Sequence, residues 1–415
     1  MSALYVTSRM EFVRNTTLPS SQQLAEVDQD MFGITAPDLV RSYLLLCPRH
    51  AATPLCSLGN LAASLGYGGI FVKDEGQRLG LGSFKALGGA YAVIRIVVAH
   101  AENKLRRSVD PSELRSEAVA NFARDITVAC ATDGNHGRSV AAGAALANCR
   151  AIIFVHEGVS DRRVAAIEAF GARTVRVPGR YDDSVIEARR VSEENGWQLV
   201  SDTSQGDDEH TPLTIMQGYT VLMAEALEQL NALGRKPSHV ILQAGVGGFA
   251  AASAAYLTAR LGSQRPTIIV VEPERANCVL EGFRAGRPVR IEPAEPTVMS
   301  MLESYEPSHV ALRILKRCAD AFMTISDDLA VTAMRRFAAP SGEDAAIVSG
   351  ESGAAGLGGL LALTQNPAWR QQIRLGPSSD VLIVNTETAT DADVYAHLVG
   401  LQPDQVGLAR ERRTS

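Results

Sequence analysis

His239-Val240-Ile241-Leu242-Gln243-Ala244-Gly245-Val246-Gly247-Gly248-Phe249-Ala250 passes from a β-branched run through glycines into the small-residue segment Ala251 to Arg260. The first part is short and apolar enough for a strand covered on both faces, and the last has the composition of a helix. Glycines between them let backbone approach an anion, and the free N–H groups and positive end of the helix supply the attraction. The same string satisfies G-x-G-x-x-A, and Glu272 ends the next strand-like run 22 residues after Ala250, where a dinucleotide fold keeps a ribose-binding acid. A monophosphate, a pyrophosphate and plain close packing of strand on helix all stay open for this string.

Six further runs share that character: Gly69–Lys73, Ile126–Cys130, Ala151–Val155, Thr174–Val177, Thr267–Val271 and Asp380–Val384. They alternate with longer helical segments, which predicts an α/β protein with parallel sheets. Connections between the runs near 128, 153, 175 and 199 have the length of single crossovers, so residues 95–203 are expected to form a small α/β domain. The runs near 240, 269 and 382 lie too far along the chain to continue that sheet directly and are assigned to a second one. The expected division is an N-terminal arm over 1–50, a discontinuous large domain over 51–94 and 204–400, the small domain over 95–203, and a tail over 401–415.

Composition narrows the function. With 46% apolar and 21% charged residues in 415 positions, the chain falls among soluble globular proteins and is long enough to bury a core without disulfide or metal staples. Its cysteines, at 47, 56, 130, 149, 278 and 318, show no CxxC and no regular spacing, so neither a zinc site nor a disulfide framework is indicated and a cytoplasmic location fits. A net charge of −6 without a long basic run argues against nucleic-acid or anionic-membrane partners. Met1 to Asn15 lack the apolar centre of a secretory signal, and no apolar stretch approaches the roughly 18 residues that a bilayer span needs.

Two other segments carry chemistry. In Gly82-Ser83-Phe84-Lys85-Ala86, Ser83 is the expected N-cap and Lys85 falls in the first helical turn, against the helix dipole. That placement lowers an amine's pKa and suits a Schiff-base nucleophile; the plain alternative is a lysine reaching to solvent. Thr132-Asp133-Gly134-Asn135-His136-Gly137 is expected at a strand end before a helix. Asn135 there suits a phenolic oxygen and Asp133 a base, although an aspartate in a turn is commonly a capping residue, and His136 reads as a structural histidine.

In this order, Ser83-Phe84-Lys85, Thr132 to Gly137 and Gly245 to Gly248 resemble the fold type II pyridoxal-phosphate enzymes, the tryptophan synthase β-like superfamily. Asp133 occupies a place where the dehydratases of that superfamily carry a small residue, which makes the chain most similar to the diaminopropionate ammonia-lyase family. Thr53-Pro54-Leu55, Val72-Lys73-Asp74-Glu75, Asp202-Thr203, Ile215-Met216-Gln217-Gly218-Tyr219, Val271-Glu272-Pro273 and Ser349-Gly350-Glu351-Ser352-Gly353 extend the resemblance over roughly residues 50 to 395.

The resemblance implies a two-domain fold type II architecture with parallel-rich twisted sheets flanked by helices, an active site in the interdomain cleft, and a homodimer. It implies pyridoxal 5'-phosphate held through the Lys85 amine, with Asn135 on the ring oxygen, Gly245, Val246, Gly247 and Gly248 on the phosphate, and the Thr386 hydroxyl on the pyridine nitrogen. A hydroxyl partner leaves that nitrogen largely unprotonated and the ring a milder electron sink, which favours elimination over transamination. The implied reaction is α,β-elimination of a β-substituted amino acid, 2,3-diaminopropionate to pyruvate and ammonia, with Asp133 and Asp202 flanking the substrate and serving the two Cα configurations. Asp202 follows the predicted strand Gln198–Ser201 at the carboxyl edge where α/β sites gather, whereas Asp182-Asp183 read as capping acids.

Three segments depart from the ammonia-lyase pattern: Ser204 to Glu209, Met299 to Leu302, and Thr386 to Thr388. The acidic run Asp207-Asp208-Glu209 fits either an altered substrate lid or an exposed loop. A β-hydroxy amino acid dehydratase of the serine or threonine type differs only in leaving group. A nicotinamide-dependent dehydrogenase, suggested by Gly245 to Ala250 and Glu272, leaves Lys85 and the Asp133 loop without a role, and a non-catalytic ligand-binding homologue is the remaining alternative.

Overall fold

The computed structural model describes residues 10–18, 24–204, 209–293 and 295–407. Asp207 and Asp208 of the acidic run, the segment before Met10 and the basic tail Arg410 to Arg413 lie outside the described residues. The chain divides into two compact units, Met1–Ala25 with Pro54–Asp74 and Ala226–Ser415, and Glu26–Thr53 with Glu75–Glu225.

In chain order the strands are β1 (Phe12–Arg14), β2 (Leu55–Ser57), β3 (Gly69–Asp74), β4 (Thr127–Ala131), β5 (Arg150–His156), β6 (Arg173–Val177), β7 (Gln198–Leu199), β8 (His239–Gln243), β9 (Thr267–Pro273), β10 (Ala321–Ile325) and β11 (Asp380–Asn385). The first unit is built on a seven-stranded sheet ordered β1-β10-β9-β8-β11-β3-β2. Its five inner strands run parallel, and the three-residue edge strands β1 and β2 pair antiparallel. Helices cover such parallel strands on both faces, which is why β8 and β10 are buried at every position. One core gathers Ile70, Val72, Ile241, Ile269, Val271, Met323 and Ile383 from the sheet against Ala330, Phe337, Leu357 and Leu361 from helices.

The second unit holds the four-stranded parallel sheet β6-β5-β4-β7, with Asn135–Ala147, Asp161–Glu168 and Tyr181–Asn195 as its crossover helices. The sheet assignment expected from connection length holds, and β10, an apolar run not singled out from the sequence, adds a strand to the larger sheet. A 21-residue helix, Lys85–Leu105, lies against Asn135–Ala147 and His210–Ala232 through glycines. A Cβ on Gly88 would stand 2.6 Å from Tyr219 Cε1, one on Gly89 2.6 Å from Ser139 Oγ, and one on Gly143 2.8 Å from Ala90 Cα. These approaches leave no room for a side chain, so the glycines set where the helix, and the lysine at its start, can sit. Among the described residues no helix is long and apolar enough to cross a membrane.

Candidate active site

Lys85 opens its helix as expected, but Ser83 does not cap it. The N-cap position is Phe84, with no side-chain hydrogen bond, and the Ser83 hydroxyl is buried without a partner. The backbone enters the helix through left-handed residues, Leu79 at φ 51°, Gly80 at 72° and Gly82 at 81°, which turns Ser83 away from cap geometry. The turn is anchored by Arg78, fully buried, whose guanidinium bonds Glu75 at 2.7 Å and Glu225 at 2.6 Å and donates to Ala51 O at 3.0 Å. Phe84 packs edge-on against Tyr219, ring centres 4.8 Å apart.

Lys85 Nζ donates to Asp202 Oδ2 at 2.6 Å. The two candidate catalytic residues, far apart in sequence, are therefore in direct contact. Burial pushes the Asp202 carboxyl up, but the Lys85 ammonium outweighs it and holds the group at about 2.

The loop after β4 stands at the carboxyl edge of the smaller sheet. Thr132 Oγ1 accepts from Gly134 N at 2.9 Å and Gly137 N at 3.0 Å, closing a turn in which Gly134 has φ 148° and Asn135, buried, begins the helix. A Cβ at Gly137 would collide with Thr132 Cγ2 and stand 2.8 Å from Ile153 Cγ2. His136 Nε2 meets Val200 O at 2.7 Å, so this nitrogen is the donor, and burial lowers the ring's pKa. Its reading as a structural histidine is consistent with that bond, while Nδ1 has no partner. Asp133 is not a capping residue: its Oδ1 faces His156 Nε2 at 3.0 Å. His156 went unnoticed in the sequence, where its signal was a polar residue ending an apolar strand run. Asp183, by contrast, accepts from the Arg180 N–H at 2.7 Å, the capping use expected of it.

In the other unit, Gln243 ends β8 and the glycines follow. Gly247 has φ 96° and is the N-cap of the helix Gly248–Leu261. Among the described residues no protein acceptor meets the N–H groups of Gly245, Val246, Gly247 and Gly248. Thr386, buried just beyond β11, receives the Gln243 Nε2 amide on Oγ1 at 3.0 Å. An amide nitrogen only donates, so the Thr386 hydroxyl accepts there and its own proton is left for another acceptor. Gln243, not singled out from the sequence, also bonds Val384 O at 3.0 Å and Gly353 O at 3.1 Å, and Met301 N donates to Ser352 Oγ at 3.1 Å. The separate strings around 300, 352 and 386 thus meet beside Gln243. Glu272 corrects the dinucleotide alternative: fully buried, it accepts from Val279 N and Leu280 N, each at 2.8 Å, and caps the next helix start. No ribose can reach a carboxylate spent in this way.

These groups fit pyridoxal phosphate. Four unclaimed amides at a helix N-terminus match a phosphate, and a hydroxyl with a free proton matches a pyridine nitrogen. The model of the pyridoxal-phosphate dependent enzyme family matches residues 46–387. Diaminopropionate ammonia-lyase of Escherichia coli K12 is 36% identical over 373 residues, 89% of this chain and 92% of that protein. The Salmonella typhimurium enzyme of the same name is 37% identical over 85% of this chain and 89% of its own length. A crystal structure of holo diaminopropionate ammonia lyase from Escherichia coli superposes with a TM-score of 0.84 at 33% identity, covering 94% of this chain and 96% of that one.

Proposed function

The chain belongs to the pyridoxal-phosphate dependent enzyme family, and from that footing we propose that it is an ammonia-lyase converting 2,3-diaminopropionate and water to pyruvate and two molecules of ammonia. The observation that carries the reading is the contact of Lys85 Nζ with Asp202 Oδ2: an amine that can hold the cofactor, and a carboxylate kept ionised beside it.

Bound cofactor would supply an electron-accepting ring for the charge left at the substrate's Cα. Lys85 would hold it through its amine, Asn135 would bond its ring oxygen, and Gly245, Val246, Gly247 and Gly248 would donate backbone N–H groups to its phosphate. Thr386 would donate a hydrogen bond from its hydroxyl to the ring nitrogen, because its oxygen already accepts from Gln243 Nε2. Asp133 and Asp202 are the bases for the two Cα configurations, and a proton returned to the departing β-nitrogen lets it leave as ammonia. The substrate is a small amino acid, and the enzyme is read as a cytoplasmic homodimer.

Product stoichiometry tests the reading. Two ammonia per pyruvate from 2,3-diaminopropionate, with a visible absorption band of the purified protein lost in Lys85→Ala, supports it. A rate confined to serine or threonine, with one ammonia per oxo acid, selects the dehydratase instead.

A further inference from the structure

Asp133 follows β4 and His156 closes β5, so two neighbouring strand ends bring them together. His156 Nε2 is 3.0 Å from Asp133 Oδ1, and both side chains are 24% exposed. On its other side the imidazole accepts the Gly158 N–H on Nδ1 at 3.1 Å. A backbone amide can only donate, so Nδ1 carries no proton and Nε2 does. The tautomer is therefore fixed by the backbone: a neutral ring with its single N–H aimed at Oδ1. Among the described residues Asp133 Oδ2 meets no protein donor.

We propose that His156 is a positioning residue for Asp133, tying Oδ1 so that Oδ2 is the oxygen that takes the substrate's Cα proton. The proposal rests on the reading of Asp133 as one of the two bases. A lone carboxylate turns about its terminal torsion and presents either oxygen. One held by a donor presents a single oxygen in a single orientation. In the transfer Oδ2 gains the proton and the electron pair of the C–H bond stays with the substrate, while His156 keeps its one proton throughout.

The other titratable groups around the pair leave this assignment intact. Burial, then the charges of Asp202 and Asp133, with Cys130 and Asp182 adding to them, push the Tyr181 phenol well above its usual range, so it stays neutral. Asp202 is paired with Lys85.

The test compares His156→Ala, His156→Gln and Asp133→Asn as holoenzymes, with both enantiomers of 2,3-diaminopropionate across pH. Asp133→Asn identifies the enantiomer that depends on Asp133. His156→Ala should lower kcat for that enantiomer by about tenfold or more, the scale of a lost hydrogen bond to a charged group, with KM less affected. The opposite enantiomer should be unchanged, and the amide donor of His156→Gln should restore most of the rate. In protein with nitrogen-labelled histidine, His156 should report the Nε2–H tautomer. An Nδ1–H tautomer, an equal loss for both enantiomers, or no loss while Asp133→Asn is impaired overturns the positioning role. Failure of Asp133→Asn to slow either enantiomer instead overturns the reading of Asp133 as a base.

Discussion

Lys85 and Asp202 stand 117 positions apart in the chain, yet Nζ and Oδ2 are 2.6 Å from each other. One side chain starts the helix Lys85–Leu105 and the other follows β7. On the proposed reading the pair joins the amine that holds the cofactor to an acid kept ionised by it. Asp202→Asn should therefore lose about 10²-fold or more in kcat for the enantiomer it serves, the scale of general acid–base catalysis. Cofactor loading, read from the visible band, should persist, because Lys85 is untouched.

The same pair predicts a pH dependence of stability. Asp202 ionises at about 2 in the folded protein against 3.8 unfolded, so the unfolded chain binds the proton more readily. Stability from this group is complete above about pH 4 and is lost as pH falls towards about 2. Denaturant unfolding of the protein and of Asp202→Asn should show a stability difference that is constant near neutrality and narrows across that window.

Arg78 answers to two carboxylates, Glu75 and Glu225, where water does not reach. Arg78→Met removes the guanidinium that both buried acids share and should cost about 3–5 kcal/mol in urea unfolding. Adding Glu75→Gln and Glu225→Gln should recover a large part of that loss, which separates a missing charge from a missing shape.

Gly137→Ala pushes a methyl into Thr132 Cγ2 and Ile153. Overpacking of this kind costs about 1–3 kcal/mol, and here it also loosens the two bonds that Thr132 Oγ1 accepts from Gly134 and Gly137. Since Asn135 lies within that turn, cofactor affinity measured by titration of the apoprotein should fall together with melting temperature.

Gln243→Leu removes the donor on Thr386 Oγ1. The hydroxyl is then free to rotate, and the protein should bind cofactor roughly tenfold more weakly, the scale of one hydrogen bond, with a shifted visible band. Thr386→Ala should give the same shift, and the double variant should add little to either.

Much of this was legible in the chain because it is encoded locally. Short β-branched runs such as Ala151–Val155 and Thr267–Val271 are largely buried strands, and the glycines at 245, 247 and 248 mark a turn in which Gly247, at φ 96°, takes a conformation other residues avoid. Contacts made by distant residues left weaker traces. Ser83 has the composition of an N-cap, but it follows left-handed Leu79, Gly80 and Gly82, and its hydroxyl is buried. Glu272 has the spacing of a ribose ligand, and only its bonds to Val279 N and Leu280 N reveal a helix cap. Gln243 and His156 act through partners on other strands and loops, so no local pattern announces them. Tertiary pairing sets the role of Glu272, Gln243 and His156, and local backbone geometry sets that of Ser83.

The larger sheet ends on both sides in antiparallel strands of three residues, Phe12–Arg14 and Leu55–Ser57. Strands this short offer a newcomer few free N–H and C=O groups, and their direction is opposed to that of the sheet's interior. A sheet with five long parallel apolar strands would otherwise be a template for chain-on-chain growth at high concentration. Deleting the first eighteen residues should expose β10 along its length and show itself first as precipitation on refolding, before any change in the chemistry at Lys85.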